Sequence, residues 1–213
     1  MYLLKSALDR ADFPRTNQPE IAFIGRSNVG KSSLINTIAN SRRAVVSKMP
    51  GQTRSIDFYS VEQWFSLVDM PGYGFAFAPE ELTTRWPDLI MNYLVGRRSL
   101  KKLYLLLDSR HGLKVRDKEF ISKLDENSIY FQTILTKCDL VNPKDLAKRI
   151  TEVEKDLATW RYASTKVLLS SIYHTALKTE LRREFIEMGL VPAKFLTELK
   201  ESLQNSKSPT KTQ

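Results

Sequence analysis

The sequence predicts an α/β fold in which a mostly parallel β-sheet is covered by helices on both faces. Two observations predict this class. Short β-rich runs alternate along the chain with longer segments of helical period, and two of the runs, residues 55–61 and 64–70, are only two residues apart. A connection that short joins antiparallel strands, because a parallel crossover needs roughly a dozen residues or more. We therefore expect one antiparallel edge in the sheet.

Six strands and several helices are predicted in chain order. The strands comprise residues 21–25, 55–61, 64–70, 102–108, 130–136 and 165–171. One helix begins after Asn142 as a cap and Pro143 in its first turn, and its apolar face comprises Leu146, Ile150, Val153 and Leu157. The next ends at Gly189, with an apolar face of Leu177, Leu181, Phe185 and Met188. A last amphipathic segment carries Phe195, Leu196, Leu199 and Leu203.

Composition narrows the classes of function. The chain has 213 residues and a net charge of +9, which favours polyanionic partners such as nucleic acid, anionic lipid or nucleotide phosphates. A single cysteine excludes an intramolecular disulfide, and with only two histidines a zinc site is not expected. No apolar run approaches the roughly 18 residues of a membrane-spanning helix, so we expect a soluble protein of a reducing compartment.

The segment GRSNVGKSSL, residues 25–34, matches the phosphate-binding pattern G-x-x-x-x-G-K-[ST] in full. It lies between a predicted strand and a predicted helix, which is the context that such a P-loop requires. Lys31 is predicted to reach the β- and γ-phosphates and the Ser32 hydroxyl to bind Mg²⁺. The residues predicted to contact the nucleotide here are Gly25, Arg26, Ser27, Asn28, Val29, Gly30, Lys31, Ser32 and Ser33. The alternative is a glycine-rich turn with an ordinary surface lysine.

A second motif, ILTKCD at residues 134–139, ends another predicted strand and indicates a guanine base. The Asp139 carboxylate can accept hydrogen bonds from N1–H and the 2-amino group of guanine, whereas adenine would leave that charge unpaired. Thr136 and Lys137 belong to the same predicted site. Ser170 and Ser171, at the end of the last strand, are predicted to offer backbone N–H groups to the guanine O6. Taken alone, the motif is equally explained by a strand-end lysine followed by a helix-starting aspartate.

A third motif, VDMPGYG at residues 68–74, is predicted to contact the metal ion and the γ-phosphate. Asp69 would hold Mg²⁺ through water, and the Gly72 N–H would contact the γ-phosphate. Thr53, in the loop before the second strand, would bring a second hydroxyl to Mg²⁺. The alternatives are a common Pro-Gly turn and a solvated loop threonine.

In order and spacing, these segments resemble the EngB family of translation-factor-like GTPases. The resemblance covers roughly residues 1–190 and rests on GRSNVGKSSLIN, MPGQTR, DMPGYG, LLLDSRHGL and LTKCD. It implies a Ras-like P-loop GTPase fold with a six-stranded mostly parallel sheet, one antiparallel edge strand and helices on both faces. It also implies binding of GTP, GDP and Mg²⁺ and slow intrinsic hydrolysis of GTP.

The same resemblance implies a partner, and the sequence pattern predicts how the chain is divided. The partner is the large ribosomal subunit or its precursor, contacted through rRNA, and the protein is expected to be a monomer without a membrane span. Its expected location is the bacterial cytoplasm, or an organellar matrix in a eukaryote. The expected units are an N-terminal extension (1–20), a GTP-binding domain (21–190), a C-terminal amphipathic helix (191–203) and a disordered basic tail (204–213).

The chain departs from the family pattern in the loop around Thr53. Met49 replaces a threonine, and Gln52 and Arg54 are exchanged, although Thr53 itself is kept. Thr136 stands where many GTPases have asparagine, which resembles the family's own version of the motif. These departures leave the predicted metal role of Thr53 intact and the contacts of its neighbours open.

The residues predicted to take part in hydrolysis are Lys31, Thr53, Gly72 and Asn28. The residue after the sensing glycine is Tyr73, which cannot orient water as the glutamine of Ras-type enzymes does. Hydrolysis then relies on another group or on an activator. The SNVGKS loop resembles those of GTPases that use a bound K⁺, and this resemblance implies that Asn28 either helps to hold such an ion or merely braces its loop. The alternatives to a ribosome-assembly switch are a P-loop small-molecule or nucleotide kinase, and a GTPase of this fold with another client.

Overall fold

A computed structural model of the chain describes residues 1–44, 55–73, 80–171 and 176–191, with residues 80–85 described by their backbone alone. Thr53 and its loop, the predicted C-terminal helix beyond residue 191, and the predicted tail lie outside these ranges.

Within the described ranges, seven strands form one sheet. The strands are β1 (Tyr2–Ala7), β2 (Glu20–Gly25), β3 (Ile56–Val61), β4 (Phe65–Asp69), β5 (Leu100–Asp108), β6 (Gln132–Thr136) and β7 (Leu168–Leu169). Their order across the sheet is β1-β3-β4-β2-β5-β6-β7. All pairings from β4 to β7 are parallel, whereas β3 runs antiparallel to both β4 and β1. The predicted hairpin and the predicted mixed sheet are confirmed.

The described residues form seven strands rather than the predicted six, because β1 comes from the residues assigned to the N-terminal extension. β1 joins the sheet through backbone pairing with β3, and only Ala7 of its six residues is buried. The side chains of Tyr2 and Leu3 are 50% exposed. An edge strand whose apolar residues face solvent on both sides lacks the alternation by which strands are recognised in a sequence.

Five helices pack on the sheet in the described part of the chain: α1 (Lys31–Ile38), α2 (Glu80–Gly96), α3 (Val115–Glu126), α4 (Pro143–Leu157) and α5 (Ala176–Glu187). The Asn142 side chain caps α4 by accepting a hydrogen bond from the Asp145 N–H, as the sequence predicts. Gly189 follows α5 with a φ of +70°, a left-handed conformation in which glycine is favoured.

The helices bury two apolar cores, one on each face of the sheet. One core contains residues of α2, α3 and α4 packed on the sheet, together with Phe58, Leu105 and Phe131. The other lies beneath α1 and α5 and contains Phe23 and Phe185. Because the parallel strands all point the same way, their carboxyl ends meet along one edge of the sheet, where α/β proteins place their ligands.

Candidate functional site

The predicted P-loop connects the end of β2 to α1 and is shaped by its two glycines. A Cβ atom on Gly25 would lie 2.5 Å from the Leu106 carbonyl oxygen of β5, so the strand end can approach its neighbour only without a side chain. Gly30 precedes α1 with a φ of +107°, and Asn28 also has a positive φ of 59°. This backbone turns the loop over the amino end of α1, where N–H groups can receive an anion.

Lys31 lies beneath this loop and is buried, with 7% of its surface exposed. Its Nζ donates to the carbonyl oxygens of Gly25 and Arg26, each at 3.4 Å, which is beyond the usual length of such bonds. Burial lowers the pKa of Lys31, and the carboxylate of Asp69 partly opposes this effect. A buried ammonium held by two long bonds is suited to receive a phosphate group.

Ser32 and Asp69 meet beside this lysine, as the sequence predicts for two metal-associated residues. The Ser32 hydroxyl donates to Asp69 Oδ2. Asp69 is 2% exposed, and its Oδ1 finds no hydrogen-bond partner among the described residues. Burial raises the pKa of Asp69 to about 6, although Lys31 and Ser32 act in the opposite direction. A hydroxyl beside an unsatisfied carboxylate oxygen fits the oxygen ligands and water that Mg²⁺ prefers.

The third motif packs directly against the P-loop. A Cβ atom on Gly72 would lie 2.8 Å from the Ser27 backbone nitrogen, so glycine is required for this approach. The next residue, Tyr73, pairs with Arg26 in an isolated β-bridge. The predicted contact of Gly72 with the γ-phosphate remains a prediction, and the structure brings the two loops that it requires together.

Tyr73 is held by α3. Its hydroxyl donates to Asp117 Oδ1 at 2.8 Å, and its ring stacks on Phe120 with the ring centroids 4.5 Å apart. Burial, the Asp117 charge and this hydrogen bond raise the pKa of Tyr73 well above its ordinary value. A hydroxyl committed in this way does not replace the glutamine that orients water in Ras-type enzymes.

The guanine motif contacts the P-loop although the two segments are far apart in the chain. The Thr136 hydroxyl donates to the Val29 carbonyl oxygen at 2.7 Å, across 107 residues. Lys137 Nζ donates to the Asn28 carbonyl oxygen at 2.8 Å. Between these segments and the end of β5 lies a cleft of about 240 Å³. The structure thus brings the two predicted nucleotide motifs into one site.

The roles of Asp139 as guanine reader and of Asn28 as cation ligand remain predictions. Asp139 follows Lys137 in a short 3₁₀ turn at the end of β6, on the ligand-binding edge of the sheet. The left-handed backbone of Asn28 and the bond that its carbonyl accepts from Lys137 favour its role in shaping the loop.

The prediction for Ser170 is wrong. Its N–H donates to the Leu135 carbonyl oxygen at 2.7 Å as part of the β6–β7 pairing, so it is not available for the guanine O6. Its own carbonyl accepts from the Cys138 N–H at 3.1 Å. Ser171, the next residue, remains the predicted donor.

Sequence reasoning missed Asp108, the last residue of β5. Its carboxylate forms ion pairs with Lys137 and Arg110, and Lys137 in turn contacts the P-loop. The segment LLLDSRHGL contains the available signal, an acidic residue that ends a buried strand at the edge where ligands bind.

No helix in the described ranges has the length and apolar character needed to cross a membrane.

Comparisons with known proteins agree with this site. Residues 20–137 match the family described as 50S ribosome-binding GTPase. The probable GTP-binding protein EngB of Gluconobacter oxydans (strain 621H) is 43% identical over 180 residues, covering 84% of this chain and 79% of that protein. A crystal structure of a probable GTP-binding protein EngB has a TM-score of 0.58 and 24% identity, covering 79% of this chain and 97% of that one. Era in complex with MgGDPNP and nucleotides 1506–1542 of 16S ribosomal RNA has a TM-score of 0.63 and 19% identity, covering 82% of this chain and 57% of that one.

Proposed function

The chain belongs to the EngB family of GTP-binding proteins and hydrolyses GTP, and from this premise we propose that it acts in assembly of the large ribosomal subunit. Its GTP state binds the precursor particle, and hydrolysis to GDP permits release. The observation that carries this proposal is the match of residues 20–137 to the family of 50S ribosome-binding GTPases. This range includes the P-loop and the two residues that contact it from the guanine motif, Thr136 and Lys137. Because the chain belongs to a GTPase family, the alternative of a small-molecule or nucleotide kinase is not pursued.

We propose that Mg²⁺ accompanies the nucleotide and is held by Ser32, Thr53 and, through water, Asp69. The hydrogen bond between the half-buried Ser32 and the buried Asp69, with one carboxylate oxygen unsatisfied among the described residues, supports this assignment. When bound, the metal neutralises charge on the β- and γ-phosphates. Lys31 adds a fixed positive charge at the same phosphates, and the Gly72 N–H contacts the γ-phosphate, which couples the third motif to the nucleotide state.

Asn28 is proposed as a K⁺ ligand with a separate test. Because Tyr73 is committed to Asp117 and does not orient water, hydrolysis needs another aid, and a cation beside the phosphates would stabilise the charge that develops there. Exchanging K⁺ for Na⁺ should then slow GTP hydrolysis in the wild-type protein and have less effect in Asn28→Ala. Equal rates in the two salts would leave Asn28 with its loop-shaping role alone.

A cationic surface on α5 and the end of α1 supports rRNA as the partner. Lys178 and Arg182 lie four residues apart on α5, both half-buried, and neither contacts a carboxylate among the described residues. Arg182 instead donates two hydrogen bonds to the Ile38 carbonyl oxygen at the end of α1. Burial lowers the pKa of both cations, and Arg182 lowers that of Lys178 further. Exposed Arg42 and Arg43 follow the same helix end.

Lys178 and Arg182 are partly shielded from water but have no carboxylate partner among the described residues, and such cations favour a phosphate-rich partner. Era, 57% of which is matched by this fold, is described in complex with nucleotides of 16S rRNA, so a protein that contains this fold binds rRNA. We further propose a monomer located in the cytoplasm, in keeping with the bacterial source of the relatives.

Co-sedimentation tests the proposal. The protein is mixed with large ribosomal subunits and their precursors at near-physiological salt, with a non-hydrolysable GTP analogue or with GDP. We expect pelleting with the analogue and much less with GDP. Lys178→Ala should weaken pelleting, whereas Lys148→Ala, an equal charge change on α4 where the lysine pairs with Glu152, should not. If neither nucleotide state pelleted, the ribosomal role would be rejected and a GTPase of this fold with another client would take its place.

A further inference from the structure

We propose that Asp108 is a positioning residue for guanine-nucleotide binding and acts through Lys137. Asp108 ends β5, and its Oδ2 accepts from Lys137 Nζ at 2.9 Å. The same ammonium donates to the Asn28 carbonyl oxygen of the P-loop at 2.8 Å. One lysine is therefore held between a carboxylate on one side and the phosphate-binding loop on the other.

Lys137 needs such support because its backbone is strained. It has a φ of +58°, the left-handed region that non-glycine residues rarely adopt. Two contacts from the residue after Asp108 help to hold it: the Ser109 N–H donates to the Thr136 carbonyl oxygen at 3.0 Å, and the Ser109 hydroxyl donates to the Lys137 carbonyl oxygen at 3.1 Å. The end of β5 thus clamps both the side chain and the backbone of the guanine motif.

Two cationic neighbours, Arg110 and Lys137, stabilise the charged form of the Asp108 carboxylate. Burial alone would raise the pKa of Asp108, but hydrogen bonds from Arg110 and Lys137 outweigh it and hold that pKa below its usual range. The side chains of Asp108 and Lys137 are 14% and 28% exposed, while that of Arg110 is 42% exposed. The pair facing the P-loop is consequently better shielded from solvent than the pair facing outward.

The consequence for nucleotide binding follows from the chain path. Asp139, the predicted guanine reader, lies two residues beyond Lys137 on the same 3₁₀ turn. Without the Asp108 charge, the Lys137 ammonium gains more from water than from one carbonyl oxygen, and its strained backbone can relax. The guanine-contacting turn then samples more conformations, and binding must restore the competent one.

A purely structural role for Asp108 is the alternative. Its carbonyl oxygen accepts from the N–H groups of His111 and Gly112, and its side chain accepts from the Arg110 N–H. These bonds order the loop before α3 independently of Lys137. The two roles differ in one respect, which is whether the effect of Asp108 on GDP binding requires Lys137.

A double-mutant cycle distinguishes the positioning role of Asp108 from a purely structural role. GDP affinity is measured by displacement of a fluorescent GDP for the wild type, Asp108→Asn, Lys137→Ala and the double variant, with melting temperatures recorded without nucleotide. We expect Asp108→Asn to raise the Kd about tenfold, between the effects of exposed and buried ion pairs. In the Lys137→Ala background the same change should raise the Kd less than about twofold. Asp156→Asn is the matched control, since Asp156 also pairs with a lysine, Lys118, but on the exposed surface.

Two results would overturn the proposal. One is an unchanged Kd in Asp108→Asn. The other is an equal loss of affinity in both backgrounds, which would assign Asp108 to loop structure alone. Arg110→Ala, which removes only the outward partner, should change the Kd less than about threefold. These outcomes depend on GDP binding and not on the ribosomal partner, so failure of either proposal is recognised separately.

Discussion

Two threonines of β6 offer a matched test of how the guanine motif supports the P-loop. Thr136 is 4% exposed, and its hydroxyl donates to the Val29 carbonyl oxygen at 2.7 Å. Thr133 is fully buried in the same strand, and its hydroxyl has no hydrogen-bond partner among the described residues. Replacing each by valine keeps the shape and removes only the hydroxyl. The same chemical change should therefore have opposite effects at the two positions.

The magnitudes follow from what each hydroxyl leaves behind. Thr136→Val leaves the Val29 carbonyl oxygen without the hydrogen bond that the Thr136 hydroxyl donates, which lowers the free energy of unfolding by about 1–3 kcal/mol. Thr133→Val removes a buried hydroxyl that has no partner and should be neutral or stabilise the protein by about 1 kcal/mol. With about 2–4 °C per kcal/mol for a chain of this size, Thr136→Val should melt several degrees below wild type and Thr133→Val at or above it.

Thermal and urea unfolding would measure the difference, and GDP titration would add the functional effect. Thr136→Val should also weaken GDP binding, because its partner carbonyl belongs to the phosphate-binding loop, whereas Thr133→Val should leave binding unchanged. A Thr136→Val protein as stable as wild type, or an equal destabilisation by both substitutions, would refute the reasoning.

Three further changes test the site and the fold. Lys31→Ala should abolish GDP binding without loss of stability, since the buried ammonium makes only two bonds of 3.4 Å; unchanged affinity in titration would remove its assignment. Gly72→Ala places a methyl group 2.8 Å from the Ser27 nitrogen and should cost about 1–3 kcal/mol and slow phosphate release in a hydrolysis assay, and a rate equal to wild type would argue against the contact. Arg97→Ala leaves the fully buried Glu20 carboxylate without its cation and should cost about 3–5 kcal/mol in urea unfolding. Because this pair lies at the start of β2, away from the P-loop, GDP affinity should stay constant.

The nucleotide site was predictable where its chemistry is local in the chain. A P-loop needs glycines, a lysine and a serine at fixed spacing between a strand and a helix, so residues 25–34 predict both the structure and the ligand. The cap at Asn142 and the end of α5 at Gly189 are likewise set by neighbouring residues. The positions of Asp69 and Gly72 beside the P-loop were predictable because the ends of parallel strands meet at the ligand-binding edge of the sheet.

Contacts between distant segments depended on the tertiary structure. β1 joins the sheet through backbone hydrogen bonds that leave no side-chain pattern to detect. The assignment of Ser170 failed because the sheet uses its N–H, a fact that requires knowing the register of β6 and β7.

The sequence by itself determined the ligand class of this protein, because each nucleotide motif is a short run whose residues act together wherever the fold places them. Only the tertiary structure decided which motifs contact one another. Thr136 supports Val29, and Asp108 holds Lys137 against Asn28. Such contacts join residues up to 109 positions apart in the chain, and their formation depends on strand order and packing, which no local pattern encodes.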